Sequence, residues 1–277
     1  MPDARQHPLF WRFPLSGTAA VLLKDLPTPF HVFDGHGLMI TGQGDAAIVA
    51  RSFVDQDVFP VLTASGRAAM ALFLGDCTDA SLGAHRILQV MALCAPARGQ
   101  VIADGATAFL AAMAMQPDLG LFHLHQWNDN ATVVAYSTQY LGLDATHCTA
   151  SITRGKRLLF GFHEASGGLL ATGDLTLGRI SSLRASFALI RQIGLHPVLR
   201  LARQPFAQTH LVNRKSAVLP RNARARRITA ADRRVIAGFD PKRDRLTLSG
   251  PLEAYDFKPL CLEHFAPCRF VQLHPDT

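Results

Sequence analysis

Residues 75–90 read GDCTDASLGAHRILQV, and the fold turns on how this stretch is parsed. On its N-terminal side residues 68–75 form an apolar run suited to a strand, and residues 87–93 form a second. Between them lies a polar link containing Asp76, Asp79, Ser81 and Gly83, followed by His85. Asp and Ser readily accept hydrogen bonds from backbone amides in tight turns, and Gly83 supplies a conformation that side-chain-bearing residues resist. The stretch therefore reads as a turn joining two strands. His85 is its one residue suited to proton exchange near neutral pH.

Outward from this pair the pattern stays rich in strands. Residues up to 29 read as an irregular lead-in; GLMIT at 37–41 reads as a strand and residues 46–53 as a short helix with Ile48, Val49 and Phe53 on its apolar side. ATAFLAAMAM at 106–115 suits a helix or a buried strand equally. Further strands are expected at 120–127, 132–137, 148–153, 157–164, 168–176, 198–202 and 209–218. A helix capped by Ser181 or Ser182 carries Leu183, Phe187, Ile190 and Ile193 at helical spacing and ends at Gly194. FDPKRDRLTLSGP, residues 239–251, reads as a loop leading into a strand. Many short strands with two or three helices predict a mostly β, α+β chain, one domain over residues 1–277, whose sheet closes or curves strongly and so removes exposed edges.

Composition narrows the class. The 277 residues are 48% hydrophobic and 18% charged, which suits a packed core and excludes a disordered or fibrous chain. Polar residues or proline interrupt every apolar run before bilayer length, and Arg12, Pro14 and Gly17 break the apolar start, so a cytoplasmic protein with no membrane partner is expected. Five cysteines without Cys-x-x-Cys spacing predict free buried thiols. Between Arg214 and Arg245 eleven basic residues face three acidic ones, an excess of +8 in a chain of net charge +7. A phosphate-contacting arm would use such a cluster, but interleaved aromatics and a recognised nucleic-acid-binding motif are missing, so a solvated or subunit-bridging basic loop is the favoured reading of Arg221 to Arg234.

GRAAMALFLGDCTDASLGAHRILQV, residues 66–90, resembles the acetoacetate decarboxylase superfamily, in which a strand ends in a Ser-x-Gly turn, then a Tyr or His, then a second strand. GLMITGQGDAAIVARSF at 37–53 and FDPKRDRLTLSGP are similar to that family's early strand and helix and to its closing strands. The resemblance implies a closed curved sheet, a β-cone or double barrel, around an apolar pocket in a homo-oligomer. It also implies a lysine that forms a Schiff base with a β-keto acid, kept neutral by desolvation and a neighbouring cation.

At that point the chain departs from the family. After ATVVAYSTQYLG, residues 131–142, the reactive lysine aligns with Ala145 and its cationic neighbour with Thr146, and Arg86 and Ile87 follow His85 where the family has a glutamate. Of the five lysines, Lys24, Lys156, Lys215, Lys242 and Lys258, Lys156 lies in a TRGKR turn and Lys242 in a charged loop, both read as solvated, while Lys215 and Lys258 flank expected strands.

The remaining chemistry rests on His85, Tyr136, His123, His125, Tyr140 and His147 as candidate catalytic residues. His123 and His125 alternate along one expected strand and would share a face, a spacing that suits an acid–base pair or a metal, but further ligands are not evident, and neither metal nor cofactor is expected. Tyr136, Tyr140, Asp144 and His147 surround the position aligned with the lysine. The expectation is a lyase- or isomerase-type enzyme working on a small or medium carbonyl compound without a Schiff base. Its reaction would be a non-covalent decarboxylation, dehydration, isomerisation or cyclisation. The alternative is a non-catalytic protein of the same fold that holds an apolar ligand or serves in assembly.

Overall fold

The computed structural model describes residues 3–177, 207–215 and 219–274, together with residues 183, 187, 188, 190, 191, 194 and 195. Among these the strands in chain order are β1 (Gly17–Val21), β2 (Lys24–Thr28), β3 (Phe30–Gly44), β4 (Phe59–Pro60), β5 (Leu62–Thr63), β6 (Ala68–Ala80), β7 (His85–Ala95), β8 (Val101–Ile102), β9 (Gly120–Asn128), β10 (Ala145–Arg154), β11 (Arg157–Glu164), β12 (Leu169–Thr176), β13 (Ala207–Val212), β14 (Arg224–Gly238), β15 (Arg245–Leu248) and β16 (Lys258–Gln272). The α-helices with both ends among the described residues are α1 (Pro8–Arg12), α2 (Ala46–Arg51), α3 (Ala108–Met115) and α4 (Ala131–Gln139).

Seven of the strands close on themselves in the order β7, β9, β13, β14, β16, β3, β6 and back to β7. β9 makes closure possible because its second edge is divided. Leu121 and Phe122 pair in parallel with Leu211 and Val212 of β13, while Gln126 to Asn128 pair in parallel with Ala145 to His147 of β10. β10 then leads through β11 and β12 to β15, a flap that branches off the ring.

Strand alternation sorts the ring into two faces. On β6, Ala69, Ala71 and Phe73 join one core cluster, and Met70, Leu72 and Leu74 the other. The first is the inner face, because its side chains meet across the ring: the Phe73 ring of β6 lies 6.4 Å from Phe270 of β16, two strands away. It also receives Phe109 of α3 and Tyr136 of α4. The second face is covered by Val49 of α2 and by Phe160, Phe162 and Leu170 of the flap. Leu9 and Phe10 of α1 pack on a third patch with Phe33, Ile228 and Val271.

The curved, mostly β architecture is as expected, and so is the α2 helix, started by Asp45, whose carboxylate accepts from the Ile48 amide at 2.9 Å. Four local readings are corrected. The lead-in is ordered and contains a β1–β2 hairpin whose Ala19 and Val21 enter the inner cluster. β6 runs on to Ala80, so Asp76 and Asp79 sit on a strand, where Asp76 pairs with Arg86 and Arg154, and Asp79 with Arg5. Residues 132–137 are helical, because Asn130 caps α4 by accepting from the amides of Thr132 and Val133. Much of the basic segment is strand β14, not loop, with Arg227 turned inward and Arg234 paired to Glu263.

All five cysteines are buried free thiols. No helix among the described residues is long and apolar enough to cross a membrane. Most of the helix expected from Ser181 or Ser182 to Ile193 and the strand expected at 198–202 lie outside the described residues.

Candidate functional site

A polar chain crosses the interior of the ring. Gln89 of β7 and Gln126 of β9 face each other in the antiparallel ladder, and Gln89 Nε2 donates to Gln126 Oε1 at 2.8 Å. Gln126 Nε2 in turn donates to Ser137 Oγ of α4 at 3.0 Å. At the other end Arg227 of β14 donates from Nη1 to Gln89 Oε1 and from Nη2 to Gln272 Oε1, both at 2.9 Å. The guanidinium lies 5.1 Å from the centroid of Phe73 and 4.7 Å from that of Phe270.

This setting is unusual for an arginine. Arg227 is 5% exposed, and no carboxylate of the described residues forms an ion pair with it. Burying a cation costs several kcal/mol, and two amide oxygens and two aromatic faces recover only part of that. The strain shows in its acidity: burial pulls Arg227 down to about 10, although the Cys268 and Cys77 thiols nearby oppose the shift. Its Nε and the neighbouring Gln272 Nε2 are buried with no partner among the described residues. Buried donors seldom stay unpaired, and these two N–H groups are of the kind that an anion would accept from.

His85 and Tyr136 share a corner of the same interior. The Phe30 ring lies 5.7 Å from His85 and 6.1 Å from Tyr136, and Tyr140 adds its ring 5.0 Å from Tyr136. His85 Nδ1 sits 2.9 Å from the Gly83 carbonyl, an acceptor, so Nδ1 carries the proton and Nε2 is a bare lone pair, buried and unpartnered. Burial lowers its pKa, keeping the ring neutral. The Tyr136 hydroxyl is also buried with no partner among the described residues, and burial raises its pKa. The arrangement thus offers a neutral base and a neutral hydroxyl donor, each packed near the Phe30 ring.

The other candidates divide. His123 is fully buried, with neither ring nitrogen bonded, and burial followed by repulsion from His125 and Arg227 pushes it down to about 3. The expectation that it shares a face with His125 is wrong, because the ladder slips there: His123 pairs with Met91, His125 with Val90, and Leu124 is left over as a bulge. Met91 belongs to the inner cluster and Val90 to the outer one. His125 accordingly lies outside the inner group, 4.2 Å from Trp127, with Nδ1 3.0 Å from Asp144 Oδ2 and Nε2 2.9 Å from Thr146 Oγ1. These bonds hold the start of β10 against β9. His147 is exposed on β10.

Ala145 pairs with Gln126, which directs its methyl group to the same side of the sheet as the inner polar chain. All five lysines stand elsewhere: Lys24, Lys156, Lys242 and Lys258 are exposed, and Lys215 is half-buried with its ammonium 2.6 Å from Asp57. Sequence reasoning missed Arg227, Gln89, Gln126 and Gln272. Gln89 carried a readable signal, a lone amide within the apolar run ILQVMALCA.

No protein-family model matches the sequence, and no curated protein is similar to it. Solved structures are similar in fold. Acetoacetate decarboxylase from Legionella pneumophila superposes with a TM-score of 0.52 at 10% identity, covering 89% of this chain and 85% of that one. A second acetoacetate decarboxylase structure gives 0.55 at 10% identity over 89% of this chain and 87% of its own. The enduracididine biosynthesis enzyme MppR, complexed with pyruvate, gives 0.52 at 14% identity over 94% of this chain and 96% of its own. The fold is therefore that of acetoacetate decarboxylase-like proteins.

Proposed function

We propose that the chain is an enzyme that binds a small or medium oxo acid inside the ring and moves a proton next to its carbonyl group, without forming a Schiff base. The observation that carries this reading is Arg227, a buried cation with no carboxylate partner among the described residues. A substrate carboxylate would take up its free Nε and complete the charge balance. The pyruvate bound by the structural relative MppR is an acid of this class. Ala145 on the inner side, four exposed lysines and a Lys215 paired to Asp57 support a reaction without an imine.

The ion pair also selects among reactions. It stabilises a carboxylate in the ground state and is lost as carbon dioxide forms, so it raises the barrier to expelling the anchored group. Isomerisation, dehydration or cyclisation of an anchored acid avoids that penalty. In such a step His85 Nε2 takes the proton from the carbon beside the carbonyl, and the electron pair moves onto the carbonyl oxygen. Tyr136 stabilises the resulting enolate by donating its hydroxyl hydrogen bond, and His85 returns the proton.

The test is solvent deuterium exchange into pyruvate and acetoacetate followed by NMR, with borohydride added in parallel. Exchange above the buffer rate is expected, lowered about 10²- to 10⁴-fold by His85→Gln, and protein mass is expected to stay unchanged after reduction. A reduced adduct on any lysine overturns the proposal. Saturable binding without exchange in the wild-type protein supports instead the non-catalytic ligand-binding reading.

A further inference from the structure

A second feature lies on the outside of the ring, where the β10–β11 turn overhangs β3, β16 and β14. A cleft of about 370 Å³ is lined there by His36, Arg154, Lys156, Arg233 and His264, and its remaining lining residues, Gly155 and Leu177, are uncharged. The register explains the convergence. His264 pairs with Leu38, two positions from His36 on the adjacent strand, and Gly37 between them turns toward Cys268 and Phe73 on the inner side. His36 and His264 therefore project outward together, their rings stacked 6.0 Å apart with 19° between planes.

Three basic side chains, Arg154, Lys156 and Arg233, face this pair, and two acids, Asp76 and Asp34, act on His36. Arg154 is 3.3 Å from Asp76, which also lies 3.5 Å from Arg86, and Arg86 is itself paired to Asp129 at 3.1 Å. Asp34, the other acid acting on His36, accepts from Thr78 Oγ1 at 3.2 Å. Lys156 and Arg233 are exposed and make no ion pair among the described residues. His36 Nδ1 is buried with no partner among the described residues. Burial, then the neighbouring His36, Arg233 and Arg154, pushes His264 down to about 4, and burial and Arg154 lower His36. Lys156 and Arg233, unpaired among the described residues, thus leave the cleft positive, with two imidazoles held neutral inside it.

We propose that this cleft binds a small molecule bearing a phosphoryl group. A dianion with several acceptor oxygens can engage the two guanidinium groups and Lys156 at once, and the cleft is larger than a bare phosphate, leaving space for the organic part of a phosphomonoester. Binding favours the protonated imidazoles, so it takes up protons and tightens as pH falls from about 7.5 to 5.5. The site is separate from the inner polar chain and stands whatever the fate of the oxo-acid reading.

The experiment follows the Cε1–H signals of His36 and His264 by NMR while phenyl phosphate is added at fixed ionic strength. Inorganic phosphate, sulfate, chloride, anionic phospholipid vesicles and a short oligonucleotide are run as separate arms. Saturable shifts of both histidines with phenyl phosphate and sulfate, absent with chloride, are expected. Sulfate keeps a constant charge across this pH range, so its tightening at lower pH isolates the histidines' protonation. Arg233→Gln is expected to weaken binding at least tenfold while other resonances stay unmoved, and His264→Asn to remove the pH dependence. Shifts that grow linearly with any anion, affinity unaltered in Arg233→Gln, or saturable response confined to vesicles or oligonucleotide would each overturn the assignment.

Discussion

At the residue scale the central fact is a charge the protein buries without neutralising. Gln89 is the pivot of that arrangement, since it accepts from Arg227 and donates to Gln126. Gln89→Leu leaves a guanidinium N–H and an amide oxygen unpaired in the interior, and a loss of about 1–3 kcal/mol in urea unfolding is expected. Adding Arg227→Met removes the orphaned charge, so the double variant recovers much of the loss; equal losses in single and double variants would show that the two residues are not coupled. Acid sensitivity follows from His123. Its folded-state pKa of about 3 lies below the unfolded value near 6.5, so the unfolded chain binds the proton first. Stability is full above about 6.5 and falls at about 1.4 kcal/mol per pH unit down to the folded value. His31, lowered by burial to about 4, adds in the same direction. Thermal unfolding at pH 7, 6 and 5 checks the sign, and His123→Phe should flatten part of the slope. These residues differ in how legible they are. An amide amid apolar neighbours announces itself in sequence, whereas Arg227 hides in a basic segment that charge counting reads as solvated.

At the element scale, legibility tracks how local the cause is. β11 at Arg157–Glu164 coincides with its apolar run, and α2 with its cap and apolar spacing. α4 reads as strand because Thr132, Val133 and Val134 are β-branched; the deciding contact is the side chain of Asn130, so Asn130→Ala is expected to cost about 1 kcal/mol in chemical unfolding. β16 goes unread because Glu263, His264 and Arg269 interrupt its apolar pattern. Glu263 is bonded to Arg234 of the next strand and His264 faces the outer cleft, causes that exist only after folding. The Leu124 bulge is equally non-local: it appears only in the pairing of β9 with β7, and it separates two histidines that strict alternation would place together. Close strand approach offers a sharper test. A Cβ on Gly42 would lie 2.2 Å from the Lys258 carbonyl oxygen, a backbone atom in the β3–β16 ladder. Gly42→Ala is therefore expected to destabilise by about 3 kcal/mol, seen as a large fall in Tm; an unchanged Tm would mean that the ladder yields at no cost.

At the scale of the whole molecule, strand richness predicts closure but not which strands close it. The ring depends on β9 dividing its second edge between β13 and β10, and parallel pairings between segments so distant in sequence leave no local mark. Closure has an energetic consequence. β14 is flanked by β13 and β16, and β16 by β14 and β3, so neither can release its backbone hydrogen bonds without disturbing two neighbours and the buried chain from Arg227 to Ser137. β15, by contrast, is the terminal strand of the flap and among the described residues pairs with β12 alone over four residues, Ala171 to Asp174 against Arg245 to Leu248. Amides exchange with solvent through the cheapest opening available to them. Hydrogen–deuterium exchange should show peptides from β14, β16 and β3 exchanging together, at a rate that follows global unfolding and rises with urea. Peptides from β15 should exchange at least tenfold faster and respond little to urea, because their opening exposes little surface. Gln89→Leu should accelerate the ring strands and leave β15 unaffected. If β15 and β14 instead exchange at one rate in both proteins, ring and flap open as a single unit, and the closed ring is not the separate source of cooperativity that its pairing describes.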